Sequence, residues 1–213
     1  MKASSMMNLP NSITLLRILC VIILTIALQV NPLGQTLSTD PIGSEGLTAS
    51  TARIIAFWAF VIGAISDFFD GYLARKMNLV TNFGKLIDPL ADKILVCTAF
   101  IYLSVVGLCP YWMTVVIVTR EFLVTGIRQL AAAQGYVMAA DKSGKWKTGF
   151  QLAFCIDGLM LVAYGPHLPE PFPTLLFDTI GFWLRNGLLW LSLLLTLWSG
   201  VHYCIQGSKF IRG

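Results

Sequence analysis

The segment from Asp67 to Asp92 reads DFFDGYLARKMNLVTNFGKLIDPLAD. Its four aspartates form two pairs, Asp67 with Asp70 and Asp88 with Asp92. Spacings of three and four residues put the members of each pair on one face of a helix. Between the pairs runs a connection too polar to lie in lipid, and on either side the chain is strongly apolar. Two membrane helices are therefore expected to carry four carboxylates towards each other around a short loop.

The cost of placing charge in lipid makes this pattern informative. One charged side chain at the centre of a spanning helix costs roughly 2.5–3.5 kcal/mol on the insertion scale, so four unpaired aspartates would cost on the order of 10 kcal/mol, less near the interface. Facing like charges also repel. A bound cation is the simplest compensation. Clustered carboxylate oxygens suit Mg²⁺, Mn²⁺ or Ca²⁺ rather than Zn²⁺, which favours His and Cys, and no metal-spaced His or Cys cluster competes.

The composition agrees with a membrane protein. Of 213 residues, 56% are hydrophobic and 12% charged, against about 25% charged in a typical soluble domain. The mean hydropathy is +0.72. Apolar runs near or above the spanning length recur. They predict an all-α, polytopic bundle of six transmembrane helices at about 11–30, 52–75, 86–108, 112–133, 146–164 and 179–205. Residues 1–213 form one domain, without repeats or a long soluble linker. Arg17 interrupts the first apolar run and no cleavage-site pattern follows, which favours a retained helix over a signal peptide.

Charge placement sets the orientation. The N-terminus, the 76–85 and 134–147 connections and the C-terminus hold Lys2, Lys76, Lys85, Lys142, Lys145, Lys147, Lys209 and Arg212, whereas 31–50, 109–111 and 165–178 hold no Lys or Arg. By the positive-inside rule both termini are cytoplasmic, and the polar active site lies at the cytoplasmic ends of helices 2 and 3. The net charge of +4 reads as topology and an anionic substrate, not as a nucleic-acid surface. Pro89 fits a first helical turn. The cysteines Cys20, Cys97, Cys155 and Cys204 read as small apolar core residues, and Cys109 stands near a loop with no evident partner.

The segment resembles the CDP-alcohol phosphatidyltransferase family. It satisfies D-x₂-D-G-x₂-A-R-x₈-G-x₃-D-x₃-D with Asp67, Asp70, Gly71, Ala74, Arg75, Gly84, Asp88 and Asp92, eight fixed residues over 26 positions. The resemblance implies transfer of a phosphatidyl or similar group from a CDP-linked donor to an alcohol, with release of CMP. It implies Mg²⁺ or Mn²⁺, two ions per site, held by Asp67, Asp70, Asp88 and Asp92, with Asp92 also the general base. It implies a homodimer. Gly71 and Gly84 would let backbone approach the nucleotide. Arg75 would contact phosphate through its planar fork. Ala74, with Asn11 and Thr14 on the first helix, would complete the CDP-lipid pocket, although Asn11 reads equally as a helix cap.

Flanking stretches are similar to the bacterial phosphatidylglycerophosphate synthases of that family: Asn8 to Arg17, Asp88 to Lys93, Arg120-Glu121 followed by Gly126-Ile-Arg128, and Gly144 to Thr148. They imply CDP-diacylglycerol as donor, sn-glycerol 3-phosphate as acceptor, and a bacterial inner membrane with its lipids as surroundings. An acceptor phosphate needs cations, and Arg120, Arg128, Lys142, Lys145 and Lys147 share the cytoplasmic half; the three lysines read equally as a positive-inside anchor. Glu121 is expected beside Arg120 as an internal partner. Direct displacement needs no covalent intermediate, and no Ser or Cys nucleophile stands out. A cardiolipin synthase using phosphatidylglycerol is the alternative within the class. A cation or proton transporter built on the aspartates is the alternative outside it. Asp157, His167 and His202 carry no pattern; Asp157 is expected to hydrogen-bond inside the bundle or to be protonated.

Overall fold

The computed structural model describes residues 9–29, 47–77, 82–136, 142–165 and 180–211. They form six helices: α1 Leu9–Gln29, α2 Leu47–Met77, α3 Asn82–Val105, α4 Tyr111–Ala133, α5 Lys142–Tyr164 and α6 Gly181–Ile211. No strand occurs among the described residues. Each element overlaps one expected span, and the all-α reading holds. Among the described residues, Gly181–Gly207 alone is both long and apolar enough to cross a membrane. Leu15–Gln29, Ser50–Ser66 and Lys93–Val105 are shorter apolar stretches.

Three expectations need correction. α3 begins at Asn82, so Pro89 stands in its second turn rather than its first. The helix takes in the polar Asn82–Lys85 segment, which was read as loop. Likewise α5 begins at Lys142, so Lys142, Lys145 and Lys147 belong to its first turns rather than to a connection. Of the cysteines, Cys20, Cys97, Cys109 and Cys155 are buried, but Cys204 is exposed. Cys204 follows the buried Tyr203, and one residue is a 100° step around a helix, so it is turned off the packed stripe.

The helices pack α1 on α2 and α3, α2 on α3 and α5, α3 on α4 and α5, and α6 on α4 and α5. The core runs through Leu24, Ala56, Phe60, Leu95, Ala99, Phe100, Leu103, Met113, Ile117, Phe154 and Leu159. Phe100 and Phe154 stack with centroids 5.2 Å apart, joining α3 to α5. Small residues bring helix backbones together at two points. A Cβ on Gly63 of α2 would come within 2.9 Å of Leu95, and one on Gly158 of α5 within 2.8 Å of Leu103.

The turn from α3 to α4 is closed by its own backbone. Gly107 has φ 81°, which frees the chain to double back. The Leu108 N–H then donates to Leu103 O at 2.9 Å and the Gly107 N–H to Ser104 O at 3.2 Å, the paired bonds of a glycine C-terminal cap. Cys109, in this turn, has a partner that the sequence did not disclose: its Sγ lies 3.3 Å from Thr114 Oγ1. Burial pushes its thiol pKa up, which makes it a poor nucleophile.

Candidate active site

The four signature aspartates fall on two neighbouring helices. Asp67 and Asp70 lie in the last three turns of α2, and Asp88 and Asp92 lie in the second and third turns of α3. Their side chains, and those of Gly71, Ala74, Arg75 and Gly84, lie outside the described residues, so helical backbone alone places them. Register can still be read. α2 and α3 are joined by residues 78–81 and pack antiparallel, with Gly63 against Leu95. Asp67 is one turn beyond Gly63 towards the connection, and Asp92 is just under one turn before Leu95 in the same direction. At about 1.5 Å per residue the two stand at nearly the same level. Asn11 and Thr14 lie in the first turns of α1, which packs on α2 and α3; their side chains also lie outside the described residues.

The chemistry of this donor set fits a hard divalent cation. All four groups are carboxylates, two per helix, at spacings that keep each pair on one face. Mg²⁺ and Mn²⁺ are ions that such oxygen ligands suit.

One residue beyond Asp92 a second feature begins. Lys93 Nζ lies 3.3 Å from Glu121 Oε2. The other carboxylate oxygen, Oε1, accepts from Lys147 Nζ and, at 3.3 Å, from Arg120 Nη1. Gln151 Nε2 approaches Oε1 at 3.5 Å and donates to Thr196 Oγ1 at 3.3 Å. Arg120 Nη2 donates to Ser199 Oγ at 2.8 Å. Side chains from α3, α4 and α5 thus converge on a single carboxylate that is 3% exposed, and α6 is joined to it through Arg120 and Gln151.

The electrostatics of the cluster are uneven. Three cationic heads share one carboxylate among the described residues. A buried charge is tolerated when it is paired and hydrogen-bonded, and Glu121 meets that condition several times over. Among these described groups the cations outnumber the carboxylate. Arg120 Nε is moreover buried with no hydrogen-bond partner. Such a set of cations suits an anionic group.

The cluster sorts the cations predicted from sequence. Arg120 and Lys147 are brought together, and Glu121 is the internal partner of Arg120 that was expected. Arg128 and Lys145 are exposed and stand apart from Glu121. The side chain of Lys142 lies outside the described residues. Sequence reasoning missed Lys93, Gln151, Thr196 and Ser199 as members. A faint signal existed for each. Lys93 follows Asp92 directly, and Gln151 lies one turn from Lys147. Thr196 and Ser199 are small polar residues three apart in the apolar middle of α6, the pattern of helix-to-helix hydrogen bonding in lipid.

Glycine lets α6 approach here. A Cβ on Gly200 would sit 3.1 Å from Arg120 Cγ, so a bare backbone leaves room for the arginine stem. The Arg120 guanidinium lies 6.0 Å from the Tyr203 ring centroid.

Asp157 has a separate explanation. Arg185 Nε donates to Asp157 Oδ2 at 2.9 Å, tying α5 to α6 with both side chains largely buried. Asp157 lies ten residues along α5 from Lys147, about 15 Å of helix, so this ion pair is remote from the Glu121 cluster. His202 bonds to Gln206 on its own helix at 2.9 Å, and His167 lies outside the described residues.

The chain is similar to known proteins over most of its length. The family described as CDP-alcohol phosphatidyltransferase matches residues 7–198. A Bacillus subtilis protein named CDP-diacylglycerol--glycerol-3-phosphate 3-phosphatidyltransferase is 40% identical over 208 residues, covering 97% of this chain and 98% of its own length. A Rickettsia bellii protein of the same name is 32% identical, covering 95% and 97%. A Mycobacterium tuberculosis protein named as a probable phosphatidylglycerophosphate synthase is 40% identical over 159 residues, covering 75% and 68%.

Proposed function

The chain belongs to the CDP-alcohol phosphatidyltransferase family, and from that premise we propose that it transfers the phosphatidyl group of CDP-diacylglycerol to sn-glycerol 3-phosphate, giving phosphatidylglycerophosphate and CMP. The full-length similarity to relatives bearing that activity in their names supports the reaction. The observation that carries the acceptor assignment is the contact of Lys93 with Glu121. It sets a cation-rich cluster one residue from Asp92, so an acceptor with a hydroxyl at one end and a phosphate at the other fits between them.

Each residue then has a task. Asp67, Asp70, Asp88 and Asp92 would hold Mg²⁺ or Mn²⁺, two ions per site. Bound there, the metal supplies charge neutralisation to the diphosphate of the donor. Arg75 forks onto a donor phosphate. Gly71, Ala74 and Gly84 leave room for the nucleotide, and Asn11 and Thr14 line its pocket from α1. Arg120 and Lys147 bind the acceptor's phosphate, with Arg128, Lys142 and Lys145 drawing the anion in from the aqueous side. Asp92 takes the proton from the acceptor's primary hydroxyl. That oxygen forms the new bond to the lipid-side phosphorus as the bond from this phosphorus to the bridging diphosphate oxygen breaks, and CMP departs with the electron pair.

The setting follows from charge and hydropathy. The six helices cross a bacterial inner membrane with both termini cytoplasmic, supported by the exclusion of Lys and Arg from alternate connections and the positive-inside rule. The site then meets a lipid donor from the bilayer and a soluble acceptor from the cytoplasm. The protein acts as a homodimer, the state that the family resemblance implies.

The test is an acceptor panel. Purified protein in detergent receives CDP-diacylglycerol, Mg²⁺ and one labelled acceptor at a time. Label from glycerol 3-phosphate entering lipid with matching CMP release is the expected result. Incorporation from phosphatidylglycerol instead would overturn the acceptor assignment while leaving the donor chemistry intact.

A further inference from the structure

We propose that Lys93 is a further acceptor-binding residue, which contacts the phosphate of glycerol 3-phosphate and is held in position by Glu121. The inference rests on the reaction proposed above and deepens it.

Three observations carry it. First, Lys93 stands at the more open edge of the cluster. Its side chain is 21% exposed, against 3% for Lys147 and 11% for Arg120. A ligand arriving from water meets Lys93 before the two buried cations. Second, Glu121 holds the Lys93 ammonium at 3.3 Å through Oε2, while its Oε1 holds Lys147 and Arg120. The carboxylate thereby gathers three heads that would otherwise repel one another. Lysine serves a phosphate as a compact, rotatable point charge. Third, Lys93 is covalently next to Asp92, with Cα atoms about 3.8 Å apart. In glycerol 3-phosphate the primary hydroxyl and the phosphorus are separated by a three-carbon chain. Asp92, the proton acceptor proposed above, and Lys93 belong to one turn of α3, so the two ends of the acceptor are served from one stretch of helix. This couples recognition of the anion to placement of the nucleophile, and a neutral alcohol gains nothing from it.

Lys93→Met is the principal test, measured as KM for each substrate separately in purified protein that converts glycerol 3-phosphate. KM for glycerol 3-phosphate is expected to rise about tenfold or more, as for loss of a charged hydrogen bond, with KM for CDP-diacylglycerol unchanged. Lys93→Arg is expected to recover much of the loss. A structural role alone would move both constants together, and an unchanged acceptor KM would overturn the proposal. A second measurement needs no variant. The wild-type protein is acylated with an amine-directed reagent and the modification of Lys93 is read by mass spectrometry. Glycerol 3-phosphate with Mg²⁺ is expected to shield Lys93, and equal labelling with and without it would overturn the proposal even if Lys93→Met does not fold. Failure of the wild type to use glycerol 3-phosphate at all would instead remove the underlying reading of the reaction.

Discussion

Arg120 Nη2 donates to Ser199 Oγ at 2.8 Å, while Nη1 of the same guanidinium reaches Glu121 at 3.3 Å. One arginine thereby links α6 to the carboxylate at the centre of the cluster and has its fork held open in a fixed plane. In the pair Arg120→Met and Ser199→Ala, a double-mutant cycle read from melting in detergent is expected to give a coupling of about 0.5–3 kcal/mol. Ser199→Ala alone should raise KM for glycerol 3-phosphate more than KM for CDP-diacylglycerol, because Ser199 orients a phosphate-binding group.

Glu121 should be the most sensitive position in the cluster. Glu121→Gln removes the carboxylate that three cations share, and removal of one partner of a buried pair costs about 3–5 kcal/mol. A lowered melting temperature and reduced yield are expected. Glu121→Asp keeps the charge on a shorter stem, so it should lose less stability than Glu121→Gln. Equal melting of the two variants would show that the carboxylate charge is not what gathers the cations.

The Asp157–Arg185 pair should separate stability from chemistry. Asp157→Asn removes the carboxylate that accepts from Arg185 and is expected to lower the melting temperature. The pair lies about 15 Å along α5 from Lys147, so both KM values should stay close to those of the wild type. A selective rise in KM for glycerol 3-phosphate would mean that the pair takes part in acceptor binding.

Gly158 should tolerate no side chain. A Cβ there would come within 2.8 and 2.9 Å of the two Leu103 methyl carbons. Gly158→Val overpacks the α3–α5 contact and should destabilise by about 1–3 kcal/mol. Combined with Leu103→Ala, Gly158→Val should lose less than the sum of the two single variants, measured by thermal melting.

Removal of the metal provides a chemical test of the aspartates. Chelation with EDTA is expected to abolish transfer, and Mg²⁺ or Mn²⁺ to restore it. Asp92→Asn should abolish CMP release while the protein still inserts in the membrane. Full transferase activity in Asp92→Asn would exclude the proton-accepting role.

Much of this was legible in the sequence for a physical reason. Carboxylates are costly in apolar helices, so Asp67, Asp70, Asp88 and Asp92 announced themselves, and their helical spacing matched the backbone found. The Arg120–Glu121 contact was readable because both charges are adjacent in the chain. The rest of the cluster was not, because Lys93, Gln151, Thr196 and Ser199 meet only through packing of four helices. Long-range pairing leaves little trace in local pattern, and Arg185 likewise gave no hint that it would reach Asp157. Helix starts were misjudged at Asn82 and Lys142 because polar residues were taken to end a helix at the edge of lipid, whereas backbone hydrogen bonds carry α3 and α5 beyond their apolar stretches. The same bias left Lys147 at the boundary between a connection and the 146–164 span, although it is buried against Glu121.

The most direct test is a structure of the protein determined with Mg²⁺ and sn-glycerol 3-phosphate. The phosphate is predicted to lie among Lys93, Arg120 and Lys147, with the primary hydroxyl turned towards Asp92. A phosphate bound away from these three cations, or a hydroxyl directed away from Asp92, would contradict the account.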